Sequence, residues 1–182
     1  RPWLLSLTSL QEISKTLQEF EIETLAGVPT TIVQLATHMS ETPKSWFAVK
    51  KILFGGESFF DDQIEFVQNI WPGVEVHSIG YASVDAGLLG YASRSGSRFD
   101  HHCFSSATIV EILDEESGRV ITECGLPGKL IVTNLTRKLM PIIRYPAGDQ
   151  AEWIDVEGSK DRRFRILGRS EEGARVGPVT VF

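Results

Sequence analysis

Two short stretches carry the side chains best suited to ligand chemistry. "FGGES", residues 54–58, joins a glycine pair to a carboxylate. "GYASVDAG", residues 80–87, puts an aromatic ring, a hydroxyl and a second carboxylate between two glycines. Gly55 and Gly56 leave room for a ligand to approach the backbone. Tyr81 offers a flat face for stacking, Ser83 a hydroxyl, and Asp85 a hard oxygen suited to a magnesium ion beside phosphates. The plainer alternative is two turns whose glycines only serve the backbone, with Tyr81 a core residue.

Other clusters are weaker. His101, His102 and Cys103 are consecutive, and in a strand neighbours point to opposite faces, so they do not converge on one metal ion. "GLPGK", 125–129, has too few residues before its lysine for a phosphate loop, and Leu130 follows in place of Ser or Thr. Ser83, His77 and Asp85 lack the G-x-S-x-G elbow of a hydrolase. "SKDRRFR", 159–165, reads as a solvated basic hairpin. Trp3, Trp46, Trp71 and Trp153 read as packing residues.

The elements that must position these stretches change character along the chain. Ser9 and Glu12 form a capping-box pattern ahead of Leu10, Ile13, Leu17 and Phe20 at helical spacing. "IETLAG" reads as a strand, and Pro29 opens a second helix. "VKKILFGG" is a second strand, 61–71 a third helix ended by Pro72-Gly73, and "VEVHSIG" a third strand. This alternation predicts an α/β lobe with a parallel sheet over 1–105. In such sheets ligands sit beyond the carboxyl ends of the strands, where both polar stretches fall. Over 106–182 short strands and turns dominate, predicting a β-rich, barrel-like lobe. "ATIVEIL" and "RVITEC" flank the turn "DEESG". "GKLIVTNL", "MPIIRYPAGD", "QAEWID" and "RFRILGR" follow as strands.

The chain has 182 residues, 42% hydrophobic and 23% charged, with 18 Lys+Arg against 24 Asp+Glu. A net charge of −6 argues against a broad nucleic-acid face. No apolar run reaches membrane-span length, so no membrane partner is expected. Two cysteines make no disulfide framework, and a reducing, cytoplasmic setting is the expectation. The first residues, Arg1-Pro2, suggest a piece of a longer chain.

Four segments, in order, resemble the motifs of the adenylate-forming superfamily of acyl-CoA synthetases, luciferases and nonribosomal adenylation domains. "FGGES" is similar to its Gly-Gly-Glu loop, "GYASVDAG" to its Tyr-Gly-x-Thr-Glu loop, "MPIIRYPAGD" to its Tyr-Arg-Thr-Gly-Asp motif, and "GRSEEGARVGPVTVF" to its hinge. The run from Gly128 to Asp149 looks most like the phenylacetate–CoA ligase branch. The resemblance covers the chain from about residue 24 onward.

The resemblance implies an ATP-dependent ligase that uses Mg²⁺ to convert a carboxylic acid, aromatic by analogy with that branch, into an acyl-adenylate. CoA is among the acceptors it implies. Gly55, Gly56 and Glu57 would wall adenine, and Tyr81 would stack on its other face. Ala82, Ser83 and Val84 would run beside the α-phosphate and acyl group. Asp85 stands at the magnesium-binding position. Asp149 and Arg169 would contact the ribose, and Glu171 would lie at the hinge. Val28, Pro29 and Gly87 would approach the acyl pocket. The resemblance assigns no catalytic residue within this chain. It implies the back half of a large adenylation domain, expected to be inactive alone.

The departures are specific. Val84 replaces a threonine, Asp85 is one methylene shorter than the family's glutamate, and "PAGD" lacks the Arg and Thr of the family motif. They leave open an alternative: a degenerate module that holds a carboxylate or nucleotide without turnover.

Overall fold

The computed structural model describes residues 9–41, 48–93 and 96–170, and the backbone of 174–176 and 179–181. Trp3, Trp46 and Glu171 lie outside the described residues. The chain divides into two compact units, Arg1–Ile79 and Gly80–Phe182.

In the first unit, α1 (Leu10–Glu19), β1 (Thr24–Gly27), α2 (Pro29–Ser40), β2 (Lys51–Phe54), α3 (Asp61–Ile70) and β3 (Glu75–Ser78) alternate. Ser9 and Glu12 close the capping box reciprocally: Glu12 N donates to Ser9 Oγ at 3.3 Å and Ser9 N to Glu12 Oε2 at 3.2 Å. Ile13 and Leu17 are buried as the helical spacing requires. The strands pair in parallel in the order β1-β2-β3. Ile32, Leu35, Ile52, Phe59, Val67 and Trp71 form the centre of this unit's core.

The second unit is an antiparallel sheet of seven strands in the order β4-β5-β6-β10-β9-β8-β7. They are β4 (Tyr81–Ser83), β5 (Gly87–Ala92), β6 (Asp100–Cys103), β7 (Thr108–Leu113), β8 (Gly128–Asn134), β9 (Tyr145–Trp153) and β10 (Arg163–Arg169). The sheet curls strongly, since Thr108 Oγ1 on β7 donates to Leu88 O on β5 at 2.9 Å, although the two strands are far apart in sheet order. Leu89, Ile112, Leu130, Val132, Trp153 and Phe164 fill its concave core. Two further strands, β11 (Ala174–Val176) and β12 (Val179–Val181), pair antiparallel.

Three details differ from the sequence expectation. The units meet at 79/80, whereas periodicity places the change near 105: residues 81–103 belong to the antiparallel sheet. β4 has only three residues and β5 carries Gly87 and Gly90, so neither shows a readable alternation. "DEESG" does turn, with Ser117 N and Oγ donating to Asp114 Oδ1 at 2.8 and 2.6 Å. "RVITEC", however, makes only a bridge at Val120 and then crosses to β9, where Gly125 N donates to Trp153 O at 3.0 Å. The long partner of β7 is β8. Finally, 140–144 is not strand. Arg144 sits at φ 47°, and β9 begins at Tyr145 as one nine-residue strand.

"SKDRRFR" does lie on the hairpin that joins β9 to β10, with Lys160 and Asp161 exposed, but its arginines are partnered. Arg163 forks onto Asp155 at 2.9 and 2.8 Å, and Arg165 Nε donates to Asp100 Oδ1 at 2.7 Å. The Arg162 guanidinium lies 3.8 Å from the Trp153 ring centroid.

Candidate functional site

In the first unit, the polar loop after β2 serves the helix before it. Helix α2 starts with Val28 at the N-cap, which has no side chain to offer, and Pro29, which has no N–H. Glu57 supplies the missing acceptor: Thr30 N and Oγ1 donate to its Oε2 at 3.1 and 2.5 Å. A carboxylate here also suits the positive end of the helix dipole. Gly55 lies against the exposed Ile79 side chain, which would have to move to admit a side chain at 55. A Cβ there would lie 2.7 Å from Ile79 Cδ1. Gly56 sits at φ 81°. Val28 is exposed and Pro29 buried. We expect Glu57→Ala to cost about 1 kcal/mol, the usual loss on removing a helix cap. Urea unfolding followed by far-UV circular dichroism measures it, and an unchanged midpoint would show that Thr30 is served by water instead.

In the second unit, pairing of β9 with β10 sets Asp149 directly opposite Arg169. Arg169 Nη1 donates to Asp149 Oδ1 at 3.1 Å and to Gly148 O at 3.4 Å. Gly148 sits at φ 80°, and a Cβ there would press on that Nη1 at 3.3 Å. The other oxygen, Asp149 Oδ2, accepts from the Tyr81 hydroxyl. Burial first, then the Asp149 charge, pushes the Tyr81 phenol well above its ordinary range, so it remains a neutral donor. A carboxylate has about four acceptor sites, so each Asp149 oxygen keeps capacity for one more donor. That geometry suits a vicinal diol.

Tyr81 is half-buried. Its ring meets Phe164 edge-on, with centroids 6.0 Å apart at 78°, and lies 6.0 Å from His101. The tyrosine thus packs partly on the core while its hydroxyl serves the polar cluster. Burial lowers the affinity of His101 for a proton and keeps the ring neutral.

The turn between β4 and β5 carries the remaining residues. Ala86 N donates to Ser83 Oγ at 2.9 Å, so the hydroxyl read as a ligand group also shapes the turn. Ala82 is exposed, and Val84 is 93% exposed at the tip. Asp85 is exposed, and its Oδ2 accepts from the Tyr145 hydroxyl at 2.9 Å. Gly87 begins β5 at φ 79°. Asn134 Nδ2 donates to Ala86 O at 2.6 Å, and Arg137 donates to the Asp85 carbonyl. Asn134, Arg137 and Tyr145 all fall within the run from Gly128 to Asp149 that resembles a ligase branch, but their residue types alone give none of them a role.

No group of three or more His, Cys, Asp or Glu side chains able to hold a metal occurs among the described residues. A magnesium ion held by one carboxylate plus phosphates and water needs no such group. The exposed Asp85 carboxylate, one oxygen of which already holds a hydroxyl, fits that role.

No family model matches the chain. Over 73 residues, 40% of the chain, it is 34% identical to phenylacetate–coenzyme A ligase of Aromatoleum evansii, and the match spans 16% of that ligase. A solved structure of 2-hydroxyisobutyryl-CoA ligase in complex with 2-HIB-AMP and CoA matches 99% of this chain with a TM-score of 0.76 at 19% identity, using 40% of its own length. A long-chain-fatty-acid–CoA ligase from Archaeoglobus fulgidus matches 90% with a TM-score of 0.64 at 13% identity, using 37% of its length. The chain therefore spans less than half of the ligases it matches. It has the fold seen in the corresponding part of these acyl-CoA ligases, and over 73 of its residues it resembles phenylacetate–coenzyme A ligase in sequence.

Proposed function

We propose that this chain supplies nucleotide- and acyl-binding residues to an ATP-dependent acid–thiol ligase that forms an acyl-adenylate. The acid we favour is aromatic, and the acceptor CoA. The observation that carries the proposal is the Asp149 carboxylate, held by Arg169 on one oxygen and Tyr81 on the other, with capacity left for the two hydroxyls of a ribose. In this reading Tyr81 borders the adenine. Ala82, Ser83 and Val84 line the path of the α-phosphate, and Gly87 approaches the acyl group. Asp85 faces the phosphates. When bound, a magnesium ion supplies charge neutralisation on the phosphates. The substrate carboxylate oxygen attacks the α-phosphorus, and the bond to the bridging oxygen of pyrophosphate breaks as pyrophosphate leaves. The residues of this chain contribute binding and orientation. The reading is compatible with a cytoplasmic setting. No helix among the described residues is long and apolar enough to cross a membrane.

Val84, an exposed apolar side chain at the phosphate loop, favours a second reading: a module that binds without turnover. Exchange of labelled pyrophosphate into ATP separates the two. The protein carrying this chain should catalyse exchange dependent on an added acid, strongest with aromatic acids such as phenylacetate. Tight binding of acid or AMP without exchange would favour the module.

A further inference from the structure

Val84 and Asp85 stand exposed at the tip of the turn, while Ala86 behind them is buried in the core. Four hydrogen bonds fix the turn as well. One is internal, from Ala86 N to Ser83 Oγ. Asn134, at the end of β8, holds the Ala86 carbonyl, and Arg137 holds that of Asp85. Asn134 is itself locked, because its Oδ1 accepts from Thr136 N at 2.8 Å, Thr136 Oγ1 at 2.9 Å and Arg137 N at 2.9 Å. Only one of these contacts touches the carboxylate: the Tyr145 hydroxyl on Asp85 Oδ2 at 2.9 Å. Tyr145 is the first residue of β9, the strand that also carries Asp149, so one strand fixes both carboxylates.

We propose that Tyr145 is a positioning residue that orients the Asp85 carboxylate toward metal-bound nucleotide, with Asn134 and Arg137 fixing the backbone beneath it. The proposal rests on the reading of Asp85 as a metal-facing carboxylate. An aspartate reaches less far than a glutamate, so the placement of its backbone and its two side-chain torsions decide where its oxygens go. Each hydrogen bond that restricts them removes disorder that metal binding must otherwise overcome.

The test is Tyr145→Phe in the protein that carries this chain, beside Asp85→Asn. The affinity for Mn²⁺·ATP is read from water-proton relaxation enhancement without any acid, and that for AMP is read without metal. Loss of one neutral-to-charged hydrogen bond predicts that Tyr145→Phe weakens Mn²⁺·ATP binding about three- to tenfold and leaves AMP binding unchanged. Unchanged Mn²⁺·ATP affinity in Tyr145→Phe, with a loss in Asp85→Asn, overturns the positioning role while the reading of Asp85 stands. No loss in either variant overturns both. Parallel loss of AMP and Mn²⁺·ATP affinity in Tyr145→Phe marks a general packing role and also overturns the proposal.

Discussion

Asp149→Ala is expected to weaken AMP binding by about 1.5–3 kcal/mol, roughly ten- to a hundredfold in Kd, because it removes a charged acceptor. The affinity for a free aromatic acid should change far less. Two features of the structure raise the expected cost. The acceptor is preorganised, with one oxygen held by Arg169 across the β9–β10 pair and the other by the Tyr81 phenol. Its removal also leaves that phenol, half-buried against Phe164, without its carboxylate partner. Isothermal titration with AMP and with phenylacetate reads both affinities. Equal losses for the two ligands would mean that the substitution disturbs the fold, and no loss for AMP would remove Asp149 from the nucleotide contacts.

Asp100→Ala should produce the largest loss of stability, about 2–3 kcal/mol. Asp100 is 2% exposed, and its oxygens receive Arg165 Nε at 2.7 Å, Arg165 Nη2 at 3.2 Å and Ser97 N at 3.0 Å. Breaking a fully buried pair typically costs about 3–5 kcal/mol. The Arg165 side chain is 37% exposed and can recover some hydration, which sets the lower figure. Burial alone would raise the pKa of Asp100, but the bonds from Arg165 and Ser97 outweigh it and hold the carboxyl below its ordinary value. The group is therefore stabilising above its unfolded-state pKa, and that contribution is lost as pH falls through the lower folded value. Urea midpoints should fall with acidity in that range for the native chain, and less steeply for Asp100→Ala. Parallel pH profiles would show that the pair does not govern acid stability.

Much of the first unit was legible in the sequence. The Ser9–Glu12 capping box, Pro29 at the start of α2, the strands before Gly27 and Gly55, and the stop at Pro72-Gly73 are local signals. Each depends on residues within one turn or one strand. The buried Trp71 and Trp153 likewise follow from side-chain type, since large aromatic surfaces leave water whenever a core can accept them. The two polar loops and the ordered motifs could be read for the same reason: backbone geometry and residue chemistry sit together in short runs.

The second unit was legible in class and not in connection. Antiparallel strands announce themselves by alternation and turns. Which strand pairs with which is fixed by core packing between segments far apart in sequence. Hence "RVITEC" looks like the partner of β7, while β8 takes that place. Three-residue β4 and glycine-bearing β5 give no alternation to read, so the change of unit falls at 79/80 and not near 105. The arginines of "SKDRRFR" look solvated because their partners Asp100 and Trp153 come from other strands. By itself the sequence determined the residue types, the α/β-then-β character and the candidate loops. Only the tertiary structure decided that Glu57 caps α2, that Tyr81 and Arg169 hold opposite oxygens of Asp149, and that Tyr145 reaches Asp85. These contacts span 27, 68, 20 and 60 residues, and short, directional side-chain hydrogen bonds form over such separations only after the sheets have fixed the strand registers.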